Sequence, residues 1–83
     1  MDKVAVEIYV PSINETFDMF IPLRSPMYEV SELIKRAVSE LSDGGFIATR
    51  DTAICYRESG EIININMSVF QLGIKNGSKL MLI

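Results

Sequence analysis

The residues able to do chemistry in this 83-residue chain are few. There is one cysteine, Cys55, and no histidine or tryptophan. A nucleophilic or redox thiol needs a base or a cationic setting to form thiolate. No imidazole exists to serve, and the nearest cations in sequence are Arg50 and Arg57. Cys55 therefore reads as a small, semi-buried strand residue. Glu58 with Glu61, and Asp2 with Glu7, are candidate carboxylate pairs. Acid–base work requires a cleft that drives two pKa values apart, and acids carried on turns of a small domain predict a solvated surface instead. A single cysteine makes no internal disulfide, and no Cys/His cluster suits a metal. The glycine-rich stretch Gly73-Ile74-Lys75-Asn76-Gly77 lacks the GxxxxGK[ST] pattern of a phosphate loop and precedes a strand rather than a helix, so it reads as a turn. No catalytic residue, cofactor or metal is expected.

Eight Lys+Arg against eleven Asp+Glu leave a net charge of −3, with no basic run to track a phosphate backbone. Arg24, Lys35 and Arg36 are interleaved with Glu29, Glu32 and Glu40, which predicts an ordinary mixed helix surface rather than a basic patch. Nucleic acid is thus not the expected partner. Apolar runs of a few residues do not insert into a bilayer. The beginning Met1-Asp2-Lys3-Val4 carries no signal-peptide segment. With a lone thiol, the expected compartment is the cytoplasm. An apolar content of 48% is enough to attempt one core, and the length predicts a single domain over residues 1–83.

Hydropathy patterning supplies the elements. Val4, Val6, Ile8 and Val10 alternate with Ala5, Glu7 and Tyr9, which is the period of a half-buried strand. Pro11 to Glu15 reads as a turn, and a second strand follows with Phe17, Met19 and Ile21 on one face and Thr16, Asp18 and Phe20 on the other. Val30, Leu33, Ile34, Ala37, Val38 and Leu41 then form one stripe of a 3.6-residue period. This predicts a helix over roughly 26–42, with Ser25 as cap, Pro26 in the first turn, and Asp43-Gly44-Gly45 as stop signal. A third strand is expected over 50–57, a short fourth from Ile62-Ile63 to Ile65, and a last one over 78–83 after the Asn76-Gly77 turn. One helix on a small sheet makes an α+β roll.

The order β-β-α-β-β-turn-β resembles the ubiquitin-like β-grasp over essentially the whole chain. The resemblance is carried most by Ile63, Val69, Ile74, Leu80 and Leu82, whose intervals resemble ubiquitin's core spacing from its fourth strand to its last. Val69 to Leu80 looks like the family's short 3₁₀ turn, reverse turn and closing strand. It implies a mixed five-stranded sheet packed on the helix. Within that superfamily, Phe17-Asp18-Met19-Phe20-Ile21-Pro22 and Leu72-Gly73-Ile74-Lys75-Asn76-Gly77 leading into Ser78-Lys79-Leu80 are most similar to the YukD/EsaB proteins. Those are bacterial ubiquitin-like components associated with type VII (WXG100, ESAT-6-like) secretion.

The resemblance implies a non-enzymatic protein-interaction module, an accessory or regulatory component of a bacterial type VII secretion system, whose partner is a protein of that system. Ubiquitin's recognition patch lies on the sheet face away from the helix, and Cys55, Met81 and Ile83 fall near the matching positions. With Tyr9 and Phe20, which alternation also turns outward, they are the candidate protein-binding residues. Ubiquitin-like modifiers and sulfur carriers act through a Gly-Gly tail, whereas this sequence ends at Leu82-Ile83 and its Gly44-Gly45 is internal. The expectation is therefore no covalent conjugation. A modifier or sulfur carrier, and a homodimer pairing exposed strand edges, remain the alternatives.

Overall fold

A computed structural model of the chain describes residues 2–83; Met1 lies outside them. β1 (Lys3–Val10) and β2 (Glu15–Pro22) are joined by a one-turn 3₁₀ segment, Pro11–Ile13. They pair antiparallel over their whole length, from Lys3 opposite Pro22 to Val10 opposite Glu15. Pro11 ends β1, and Asn14 turns the chain with a left-handed φ of 50° while its N–H donates to the Pro11 carbonyl at 3.1 Å. Helix α1 (Met27–Leu41), β3 (Ile54–Tyr56) and β4 (Ser78–Leu82) follow. The sheet order is β2-β1-β4-β3, with β4 parallel to β1 and antiparallel to β3. The helix covers one face, and the radius of gyration is 11.6 Å.

The core follows the alternation. Val4, Val6, Ile8 and Val10 are all buried, as are Ile54, Leu80 and Leu82. β2 is an edge strand, so only its Ile21 is fully buried while Phe17 and Met19 are partly covered. Ile63, Val69 and Ile74 close the core from the long β3–β4 connection.

Three expectations need correction. The sheet has four strands rather than five. Tyr56 N–H donates to Glu61 O at 2.9 Å and Ile63 N–H to Ile54 O at 3.0 Å, but pairing stops at one bridge between Cys55 and Ile62. Asn64 is the reason: its Oδ1 accepts from Asn66 N–H at 3.0 Å and its carbonyl from Met67 N–H, which turns the backbone away from the sheet. The third strand is also shorter than 50–57. Thr49 N–H is held by Thr52 Oγ1 at 2.9 Å and Asp51 N–H by Thr49 Oγ1 at 3.2 Å, so a hydroxyl-closed turn replaces its first residues.

The third correction concerns the helix. Pro26 is its flanking residue with an extended ψ of 147°, and no side chain caps it. Instead Met27 N–H donates to Met67 O at 2.8 Å and Tyr28 N–H to Ile65 O at 2.9 Å. A distant loop thus satisfies donors that a local Ser25 cap would have served. The buried stripe is also rotated from the expected one. Met27, Val30, Ser31, Ile34 and Val38 are buried, whereas Leu33 and Leu41 are exposed. Buried Ile63 and exposed Ile65 border a hollow on the Tyr28/Ser31 flank.

The Asn76-Gly77 turn fixes where β4 meets β1. Gly77 has a φ of 89°, a conformation that L-residues with a Cβ rarely adopt. Its N–H donates to Ala5 O at 2.8 Å, and Ala5 N–H donates back to Asn76 Oδ1 at 2.8 Å. Asn76→Ala removes that acceptor from a strand N–H and is expected to cost about 1 kcal/mol in urea unfolding, with Asn76→Asp restoring most of it.

Candidate protein-docking surface

The sheet face away from α1 is built in rows by strand register. Thr16, Tyr9, Met81 and Cys55 lie side by side across β2, β1, β4 and β3. The neighbouring row is Asp18, Glu7 and Lys79, and Arg57 joins it through its N–H to Lys79 O at 3.2 Å. Arg57 reaches back over the first row, with its guanidinium carbon 4.5 Å from the centre of the Tyr9 ring. That is close enough for a cation–π contact. The Tyr9 hydroxyl is held against Asn14 Oδ1 at 3.1 Å.

Tyr9, Arg57 and Met81 therefore form one continuous surface, with Glu7, Asp18 and Lys79 beside it. Ile83 extends it along β4, its backbone locked to Ala53 by hydrogen bonds of 2.8 and 2.9 Å. Phe20 is 72% exposed but stands apart. It lies opposite Ala5 on the edge strand, four positions from Tyr9, or about 13 Å at the usual rise. Cys55 occupies the outer row by register yet is 0% exposed. Ile62 bridges to it, and its Sγ–H donates to Met81 O at 3.6 Å. Cys55 supports the surface from beneath and offers a partner nothing to touch. Alternation alone did not identify Arg57, whose role depends on β4 lying between β1 and β3.

Burial also governs the thiol. Desolvation pushes the Cys55 pKa up from its ordinary value of 9.0. The unfolded chain then ionises first as pH rises, so stability is full below about pH 9 and declines above it. In native buffer at pH 8, Cys55 is expected to resist a thiol reagent and to label promptly in denaturant.

The other candidates are dispersed. The Asp2 carboxylate pairs with Arg24 Nε at 3.1 Å, and Glu7 lies between Asp18 and Lys79. Glu58 faces Lys75 and Lys79 across a shallow hollow, and Glu61 is exposed on the turn. Lys35 is tied to Glu32 at 3.1 Å. In the Gly73–Gly77 turn, the N–H groups of Gly77 and Ser78 are already donated to Ala5 O and Lys75 O, so they form no phosphate cradle. Among the described residues no group of three or more His, Cys, Asp or Glu is placed to hold a metal ion. None of the helices in those residues is long and apolar enough to cross a membrane.

No protein-family model matches the chain, and no curated protein matches it. Solved structures do. The ubiquitin-like domain of the Mycobacterium tuberculosis type VII secretion system protein ECCD1 aligns with a TM-score of 0.79 at 22% identity, over 100% of this chain and 99% of that one. The EccD5 ubiquitin-like domain from Mycobacterium xenopi aligns at 0.67 and 14%, over 100% and 94%. A chain of the MycP5-free ESX-5 inner membrane complex aligns at 0.72 and 15%, over 100% of this chain but 21% of that one. The fold is the ubiquitin-like β-grasp.

Proposed function

We propose that this chain is a non-enzymatic ubiquitin-like interaction module of a type VII secretion system, of the YukD/EsaB kind. It docks a cytoplasmic protein component of that system through the outer sheet face, without covalent conjugation. The observation that carries this reading is the likeness along its whole length to a domain named as part of a type VII secretion protein. The surface itself supports docking: Tyr and Arg are over-represented among residues that dominate binding energy, and Met adapts to irregular partners. A buried thiol with a raised pKa and carboxylates scattered over separate turns support a binding role over catalysis. The net charge of −3 supports a protein partner over a nucleic acid.

The test is affinity capture of the tagged chain from the cells that encode it, beside the Tyr9→Ala/Met81→Asp variant. Recovery of secretion-system proteins with the parent chain and their loss with the variant would support the reading. Recovery unaffected by the variant would remove the outer face from it. Intact-mass detection of Ile83-linked conjugates or a thiocarboxylate would instead favour a modifier or sulfur carrier.

A further inference from the structure

A second surface lies on the helix side of the sheet and does not depend on the outer face. Between α1 and the residues flanking β3 runs a hollow of about 320 Å³, floored by Ser31, Ala53, Ile54 and Ile63. It opens into a wider one of about 640 Å³ that continues along the same helix flank to Glu40, walled by residues 47–50. Glu32, Lys35 and Arg50 line both, so the two are one groove.

Its lining is unusual for this molecule. Of nine exposed large apolar side chains among the described residues, four border the groove: Tyr28, Ile47, Ile62 and Ile65, with Ile47 76% and Ile62 64% exposed. Such a concentration on one concave surface marks an interaction site more than scattered exposed residues do. Its charge also opposes that of the whole. Lys35, Arg36 and Arg50 face Glu32 and Glu40, a net +1 on a chain of −3. Lys35 is paired with Glu32, while Arg50, at the junction of the hollows, has no ion-pair partner among the described residues.

The shape restricts the occupant. An added strand would need the outer edge of β3, and residues 61–63 already occupy it. The guest must bring side chains rather than open backbone, as an amphipathic helix does. The flank from Tyr28 to Glu40 is about 18 Å long, a little over three helical turns. We propose that this groove is a docking site for an acidic amphipathic helix of a partner protein, its apolar stripe against Tyr28, Ile62 and Ile65 and its carboxylates towards Arg50 and Arg36.

The test is a titration of the ¹⁵N-labelled chain followed by amide shifts. The probe is a synthetic peptide of roughly 14 residues, about four helical turns, with leucine at i, i+3, i+4 and i+7 and glutamate elsewhere. A twin carries lysine for every glutamate. The expected shifts fall in residues 28–36, 47–54 and 61–65. Arg50→Glu should weaken binding about tenfold, the lysine twin should bind at least about tenfold more weakly, and Ile65→Asp should abolish saturation. Both substituted side chains are exposed, so the fold should survive them. Equal binding of the two peptides, shifts confined to Tyr9, Arg57 and Met81, or no saturable binding would each overturn the proposal.

Discussion

Leu80→Ala is expected to lower stability by about 2–5 kcal/mol. Leu80 is 0% exposed and sits mid-strand in β4, which is paired on both sides, with Ile8 beside it on β1 and Tyr56 on β3. Removing its isobutyl group opens a cavity that two flanking strands and the overlying helix hold apart. A domain of this length has about 4–12 kcal/mol in hand, so the loss is a large part of the whole. Urea unfolding followed by circular dichroism should show a lower midpoint with an unchanged slope. Phe20→Ala provides the contrast, because that ring is on the solvent side of the edge strand. Its effect should stay within about 0.5 kcal/mol. An unchanged midpoint for Leu80→Ala would contradict the core assignment.

The second large effect concerns the outer face. Arg57→Glu should weaken capture of the partner by about 30-fold, the equivalent of a 2 kcal/mol hot spot. The substitution removes the guanidinium from the Tyr9 ring and places a carboxylate next to Lys79, at the end of the row that already holds Glu7 and Asp18. That row then carries three carboxylates against one ammonium, so a partner selected for the parent surface meets the wrong potential. Arg57→Lys keeps the charge but loses the planar group that stacks, and should fall between the two. Side-chain exposure at this position means thermal stability should barely change. Binding measured against the captured component separates the two quantities, and loss of binding together with folding would contradict the account.

The strands that pair along their whole length were readable because their period of two is uninterrupted: every alternate residue from Val4 to Val10 turns inward. The spacing Ile63, Val69, Ile74, Leu80, Leu82 was also informative, since each of these side chains is buried. What escaped depends on partners distant in sequence. The Asn64 turn that ends the expected fourth strand rests on a side chain closing its own backbone, which leaves no trace in hydropathy. Helix α1 begins one residue later than Pro26 because Ile65 and Met67 carbonyls meet its first N–H groups, and those carbonyls lie some forty residues downstream.

The candidate surface divides along the same line. Tyr9 and Met81 were legible because parity alone turns them outward, and parallel register then sets them side by side. Parity also turns Cys55 outward, but the thiol is 0% exposed, so direction and accessibility come apart. Phe20 lies four positions along the strands from Tyr9, a separation that register sets and parity does not specify. Arg57 carried no signal until the strand order put it across β4 from Tyr9.

We propose non-covalent docking of a type VII secretion component on the Tyr9, Arg57 and Met81 surface. It is tested by a photo-crosslinking amino acid at Met81 in living cells that encode the chain, with Phe70, exposed beside Arg24 and outside both surfaces, as comparison. A light-dependent adduct from position 81 to a secretion-system protein and none from position 70 is expected. An adduct of equal yield from both positions, or one from 70 alone, would rule this docking out.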